Sequence, residues 1–205
     1  MGLNSLEEDF WIWFEKNEQL FFDQPEDIES REQLYFHLQR RLQEINHAMG
    51  FAFGPPSNEE PIVRELVISA NGLEMAFDFV LELIDMAPDL PNWKFTAFRP
   101  RVNQDDLAIN FGGLEIGYSD LFFNWEKDEE EDRINLELHI RNFDNSEKQE
   151  AAVFILMDTL LGEYDSVKRI GSIEWKNLEE SEIENLNNFV LLRSIVDEEK
   201  SKMNG

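Results

Sequence analysis

The sequence predicts an α+β protein in which an antiparallel β-sheet of about six to eight strands, with a central meander, is packed mainly on one face by amphipathic helices. Two observations point to this fold class. Apolar residues recur with the helical period towards both ends of the chain, whereas the period changes to two between Trp93 and Arg141. The 205-residue chain is also 42% hydrophobic, with 17 Phe and 5 Trp, which is ample for one core. We therefore expect a single α+β domain over residues 1–205, with residues of about 200–205 frayed.

Two helices are expected in the first fifty residues. Ser5 and Glu8 have the spacing of a capping box, which places a first helix over about 6–20. A second amphipathic segment follows Pro25 and is expected to stop at Gly50. Its apolar positions recur at helical spacing: Leu34, Leu38, Leu42, Ile45 and Met49.

The middle of the chain is expected to form strands around a third helix. A short strand and a Pro-rich loop account for "FAFGPPSNEEP", and "IVRELVISA" reads as a strand. The Asn71-Gly72 turn then leads into a helix at about 74–87 that would bury Phe77, Val80, Leu81 and Ile84. Five segments with a period of two follow and predict an antiparallel meander: 93–99, 107–111, 114–118, 120–126 and 133–141.

The last quarter of the chain returns to helical patterns. Ser146 and Gln149 have capping-box spacing, and Gly162 is expected to end the helix that they begin. A strand near 166–175 and a last helix from about 179 to 199 complete the predicted order.

Five consecutive acidic residues, Asp128 to Asp132, join the last two strands of the predicted meander. A calcium loop that began at Asp128 would need Gly at position six and Glu at position twelve, where this chain has Arg133 and His139. A looser divalent-ion site from Asp128, Glu130 and Asp132 is an alternative. We expect a mobile, solvated hairpin tip that binds no specific ion.

A polar strip along the final strand of the meander holds the candidate catalytic residues. Glu137 and His139 lie two residues apart, so they share one face of the strand and could form an acid/base or ligand pair. The exposed face of an antiparallel sheet has the same alternation without any function. We therefore assign no catalytic residue and keep Glu137 and His139 as candidates.

Several kinds of chemistry are excluded or disfavoured by the sequence. The chain has no cysteine, which excludes disulfides, thiol nucleophiles and thiolate zinc sites. It has no nucleophile elbow, phosphate-binding loop, dinucleotide fingerprint or zinc-protease motif, so the sequence leans against an enzyme and predicts no cofactor. No stretch is apolar enough to span a membrane, and the first residues lack a secretory signal, which favours a cytoplasmic protein.

Net charge restricts the expected partners. Forty-four acidic against 18 basic residues give a net charge of −26. Such a charge disfavours binding to nucleic acid or to an anionic membrane surface, whereas it permits a basic protein partner. Nothing in the sequence selects an oligomeric state.

Two short stretches carry a resemblance to known families. The first is "ISANG", which runs into an apolar helix that ends at "AP", with Trp93 shortly after; the second is "LLGE" followed by "IGSIEW". These stretches resemble bacterial families of unknown function, some of which are associated with toxin-immunity proteins. The resemblance implies no catalytic residues.

Three functions are therefore open. The first is a non-catalytic cytoplasmic binding protein, of which an immunity or inhibitor protein acting on a basic partner is the sharpest form. The second is a hydrolase that uses surface carboxylates with His139, and the third is an acidic mimic of a polyanion. The missing catalytic motifs favour the first.

Overall fold

The computed structural model describes residues 4–57 and 60–203, and it confirms a mixed α+β composition. The chain divides into two compact units, Met1–Arg99 and Pro100–Gly205, which are described one at a time. The single domain over 1–205 stays a prediction. The helices of the first unit are α1 (Leu6–Asp23), α2 (Ile28–Ile45) and α3 (Phe77–Asp85), and its strands are β1 (Gly50–Phe53), β2 (Arg64–Ser69) and β3 (Trp93–Ala97).

The second unit has its own helices and strands. Its helices are α4 (Glu147–Leu161), α5 (Glu163–Arg169) and α6 (Leu191–Met203). Its strands are β4 (Ala108–Phe111), β5 (Leu114–Gly117), β6 (Leu121–Asp128), β7 (Arg133–Ile140), β8 (Ile170–Asn177) and β9 (Asn187–Asn188).

The predicted capping box begins α1. The Ser5 hydroxyl accepts a hydrogen bond from the Glu8 N–H at 3.2 Å, and the Ser5 N–H donates to the Glu8 carboxylate at 3.1 Å. Both orphan donors of the first turn are thereby satisfied. One side of α1 is buried through four aromatic residues: Phe10, Trp11, Phe14 and Phe21.

The predicted end of α2 is wrong. The helix stops at Ile45, and Asn46 adopts an extended conformation with φ −150° and ψ 129°. The Asn46 side chain accepts from the Ala48 N–H at 2.9 Å, which offers the backbone a turn in place of another helical turn. Met49 therefore lies beyond the helix, and Gly50 begins β1.

The first unit contains a three-stranded sheet in the order β1-β2-β3. Strands β1 and β2 are antiparallel, whereas β2 and β3 are parallel. Parallel neighbours need a crossover connection, which α3 supplies, so β3 does not begin a meander as predicted. Residues 66–69 of β2 are all buried, which means that both faces of this strand are covered.

Helix α3 buries a different set of residues from the predicted one. Phe77 and Val80 are buried as expected, but Leu81 is exposed and Leu83 is buried. At 100° per residue, the apolar positions of α3 span an arc of about 200°, which is wider than the arc occupied by the buried Phe77, Val80 and Leu83. A wide apolar arc does not show which edge of it faces the core.

The second unit contains a two-stranded sheet and a four-stranded sheet. Strands β4 and β5 pair only with each other, and the larger sheet has the order β8-β7-β6-β9. A 3-10 turn at Tyr118–Asp120 separates β5 from β6, and the Asp120 carboxylate accepts from the Gly117 N–H at 2.9 Å. Sheets of three, two and four strands in the described residues therefore replace the predicted single sheet and its meander.

The C-terminal elements also differ from the predicted ones. Gly162 ends α4 with φ 85°, as expected, but it leads directly into α5, and the strand begins only at Ile170. A 3-10 helix at Glu180–Asn185 and the short β9 occupy the start of the predicted last helix, which begins at Leu191 and continues to Met203. Helices α4 and α5 form the crossover that makes β7 and β8 parallel.

The four-stranded sheet has one apolar and one polar face. Alternate residues of β6 and β7 join side chains of α4 and α6 in the core of this unit. These strand residues include Leu121 and Phe123 on β6, with Leu136, Leu138 and Ile140 on β7. Side chains at the intervening positions point to the opposite face, which we call the outer face.

Candidate functional site

The outer face brings candidate residues from three strands together. The register places Asn124 of β6 opposite Glu137 of β7, and Glu137 opposite Glu174 of β8. His139 is paired in the same way with Lys176. Glu137 and His139 therefore share a face, as their spacing predicts, and two charged residues of β8 join them.

Glu137 lies between two nitrogen donors. Its Oε1 is 2.8 Å from Nε2 of His139, and its Oε2 accepts a hydrogen bond from Nζ of Lys176 at 2.5 Å. The Lys176 bond, followed by that of His139, lowers the pKa of Glu137 to about 2. The same bond to Glu137 raises the pKa of Lys176. Glu137 is thus a fixed anion of the outer face.

His139 is buried, although its strand position suggested an exposed side chain. Only 4% of the residue is exposed, and its Nδ1 has no hydrogen-bond partner in the described part of the chain. A general acid or base must reach the proton that it transfers. The burial of His139 suits a side chain that orients Glu137 better than one that touches a substrate, and a catalytic role for the pair stays a prediction.

An open groove of about 290 Å³ lies beside Glu137 on this sheet. Three acidic residues of the outer face line it: Glu126, Glu137 and Glu174. The groove is therefore negatively charged. We call it the outer groove.

Two residues of the outer groove are held in place by the contact between β7 and β8. The Asn135 carboxamide oxygen accepts from both the N–H and the hydroxyl of Ser172, at 2.8 and 2.9 Å. A Cβ at Gly171 would lie 2.4 Å from that oxygen, so the glycine permits this close approach. These two bonds link β7 to β8 beside the groove.

The acidic run is a hairpin tip, as predicted. Asp128 pairs with Arg133 at the end of the β6–β7 ladder, and four residues connect them. One oxygen of the Asp128 carboxylate accepts from the N–H groups of Glu130 and Glu131, at 3.0 and 3.1 Å. Asp128 thus caps the backbone of the turn, as aspartates in turns often do.

Asp132 is turned towards cationic side chains. Its carboxylate lies 3.0 Å from Nζ of Lys127 and 3.4 Å from Arg169. Lys127 also lies 3.0 Å from Glu199, and the bonds to Glu199 and then Asp132 raise the pKa of Lys127. Within residues 4–57 and 60–203, no three His, Asp or Glu side chains are grouped as metal ligands. The absence of a specific ion at the tip stays a prediction.

Sequence reasoning missed the contribution of β8 to the outer groove. The predicted strand ended at 175, one residue before Lys176, and its neighbour in the sheet was unknown. The alternation of Glu174 and Lys176 could have placed both on one face, but not beside Glu137.

Comparison with known proteins yields no match to any family model, curated protein or solved structure. None of the helices described is both long enough and apolar enough to cross a membrane.

Proposed function

We propose that this protein is a non-catalytic, cytoplasmic binding protein for a protein partner with a basic surface, and that the outer groove receives a Lys or Arg side chain of that partner. One observation carries the proposal: Glu126, Glu137 and Glu174, from three neighbouring strands, line a single groove.

The chemistry of the groove suits a cationic side chain. Glu126 makes no ion pair with any described residue, and Glu174 is 3.4 Å from a Lys176 amine that is closer to Glu137. These two carboxylates can accept hydrogen bonds from a guanidinium or ammonium group. The groove is at the small end of ligand sites, which fits one side chain better than a whole metabolite.

The charge of the whole chain supports the same partner. A net charge of −26 raises the encounter rate with a cationic protein and repels nucleic acid. An immunity or inhibitor protein that covers a basic protein is the sharpest form of the proposal. The resemblance of "ISANG" and "IGSIEW" to families with toxin-immunity members favours this form.

The test begins with capture of partners from the native host at low salt and continues with the purified partner. We expect the association rate to fall as ionic strength rises from about 0.01 to 0.15 M. Glu126→Gln/Glu174→Gln should weaken binding by about tenfold or more, because the paired cation loses both carboxylates. The matched control, Glu115→Gln/Glu198→Gln, removes the same charge from exposed sites outside the groove and should change affinity by less than about twofold.

Two results would contradict the proposal. One is a partner that is acidic, or whose association rate ignores salt. The other is an equal loss of affinity in the groove variant and in its control. That result would show that binding depends on the total charge of the protein and not on the groove.

The second candidate is a hydrolase that uses Glu137 with His139. The 2.8 Å contact between these residues and the unpartnered Nδ1 of His139 favour it, whereas the burial of His139 weighs against it. A measurable hydrolytic activity that His139→Ala removes would replace the binding proposal. A general polyanion mimic has less support, because Lys176 interrupts the acidic surface at Glu137.

A further inference from the structure

Helix α3 has a partly exposed apolar row at the edge of its buried side. Phe77, Val80 and Leu83 face the interior. Beside them, Phe79 and Met86 lie seven residues apart and are 38% and 42% exposed. Residues at this spacing share one side of a helix. Met75, which is 73% exposed and precedes Phe79 by one turn, extends the row into the 3-10 segment Glu74–Ala76.

An acidic row runs beside these apolar residues. Asp78, Glu82 and Asp85 follow one another at spacings of four and three, so they also lie on one side of α3. All three are exposed, and none forms an ion pair with another described residue. Residues 74–86 contain no Lys, Arg or His. Negative charge on this helix is therefore uncompensated locally.

We propose that these two rows, together called the α3 face, dock an amphipathic basic helix of a partner protein. The apolar side of such a helix would cover Met75, Phe79 and Met86, while its Lys and Arg side chains would meet the acidic row. Methionine suits this role because its flexible thioether adapts to different apolar surfaces. Recognition of an amphipathic helix by an apolar surface is a common binding mode.

Charge complementarity selects this occupant over a second copy of the chain. Two α3 faces in contact would bring six unpaired carboxylates together, and like charges in an interface oppose association. Helix α2 provides the contrast: its Phe36 is 60% exposed, but Arg40 and Arg41 follow within five residues. Single exposed apolar residues are ordinary, whereas an apolar row along an all-acidic segment is not.

The inference does not depend on the outer groove. The two surfaces belong to different units. Their only common property is that the ligand proposed for each is positively charged. A variant of one leaves the residues of the other unchanged, so each proposal can fail alone.

The test uses the full chain and a fluorescein-labelled peptide of about 18 residues, built from Leu and Lys so that a helix has one apolar and one basic side. Fluorescence anisotropy measures the affinity. We expect Phe79→Ser/Met86→Ser to weaken binding at least about tenfold, because both residues of the apolar row lose their contact area. Circular dichroism checks that the fold is unchanged, which we expect because both side chains are partly exposed and lie outside the buried set of α3.

The acidic row is tested with Asp78→Asn/Glu82→Gln/Asp85→Asn. We expect about tenfold weaker binding and a shallower dependence on salt between about 0.01 and 0.15 M. Two matched controls stay within about twofold of the wild type: Phe36→Ser for the apolar change, and Glu15→Gln/Glu29→Gln/Glu32→Gln for the loss of three charges.

Three outcomes would overturn the inference. The first is that the α3 variants bind the peptide as tightly as the wild type. The second is that the controls lose as much affinity as the α3 variants, which would mean that total charge alone explains peptide binding. A concentration-dependent dimer in sedimentation experiments that Phe79→Ser abolishes would assign the face to a second copy. In a parallel measurement, Glu126→Gln/Glu174→Gln should leave peptide binding unchanged, which separates this test from that of the outer groove.

Discussion

Glu137 shows how much a single residue depends on its neighbours across the sheet. Its position on β7 predicted its face and its neighbour His139, but not its partner Lys176, which lies 39 residues away along the chain. The parallel pairing of β7 with β8 brings the two side chains together. Alternation along one strand could predict which residues share a face, whereas the register between strands required the tertiary fold.

The lowered pKa of Glu137 predicts a specific dependence of stability on pH. Its pKa is about 2 in the folded protein, compared with 4.5 ordinarily. The contribution of Glu137 to folding is therefore complete above about pH 4.5 and is lost as the pH falls through about 2. We expect Glu137→Gln to flatten the fall in urea-unfolding free energy across this range.

The control for this experiment is Glu126→Gln, which removes an exposed carboxylate that forms no ion pair with any described residue and should flatten the acid dependence less than Glu137→Gln does. Equal pH profiles for the wild type and Glu137→Gln would show that the bonds to Lys176 and His139 do not stabilise the charged carboxylate in solution.

Leu38 is a residue whose burial could be predicted from the sequence. It lies in the middle of the apolar stripe of α2, and the structure leaves none of it exposed. We expect Leu38→Ala to lower the free energy of unfolding by about 2 to 5 kcal/mol, through lost apolar contact and a residual cavity. Denaturant unfolding measures the change.

Phe36→Ala, on the exposed side of the same helix, is the control and should change stability by no more than about 0.5 kcal/mol. A loss below about 1 kcal/mol for Leu38→Ala would mean that the site relaxes to fill the space.

At the scale of elements, the sequence predicted correctly those boundaries that depend on helix-capping and turn residues. The capping box of Ser5 and Glu8 and the Asn71-Gly72 turn, with φ 50° and 76°, are local features and were predicted. The predicted meander does not form, because its strands, β3 to β7, belong to three different sheets. Period-two patterns identify strands but say nothing about which strands pair.

The β6–β7 hairpin tip carries a prediction about ions. The Asp128 carboxylate accepts hydrogen bonds from backbone N–H groups, and Asp132 lies close to Lys127 and Arg169. A divalent ion would have to replace these interactions and tolerate nearby positive charge. We expect calorimetric titration with calcium, magnesium or manganese to give no saturable binding of micromolar affinity at this tip.

Asp128→Ala and Asp132→Ala provide the controls for that titration. A micromolar site in the wild type that both substitutions abolish would show that the tip rearranges into a metal site.

At the scale of the whole molecule, the excess of negative charge opposes the compact state. The chain carries a net charge of −26, and unpaired acids such as those of α3 repel one another. Raising the ionic strength from about 0.01 to 0.15 M shortens the Debye length from about 30 to 8 Å and screens this repulsion. We therefore expect the melting temperature, measured by calorimetry, to rise with sodium chloride over this range.

The variant Glu15→Gln/Glu29→Gln/Glu32→Gln should show a smaller rise, since it starts with less repulsion. A melting temperature that falls with salt would indicate that the ion pairs, such as Lys127 with Glu199, outweigh the repulsion.

The shortness of β9 also affects how the protein behaves when it is concentrated. Strand β9 pairs with β6 only at Phe122 and Phe123, so the rest of the outer edge of β6 has no partner strand in the described structure. An open edge can recruit strands from other molecules and start aggregation. In β6 this stretch ends in Glu126, Lys127 and Asp128, and Lys127 occupies an inward position of the strand with its ammonium group held by acidic side chains. A strand from another molecule would have to bury these charges to pair with this edge. The residues that hold the hairpin in place therefore also oppose edge-to-edge aggregation.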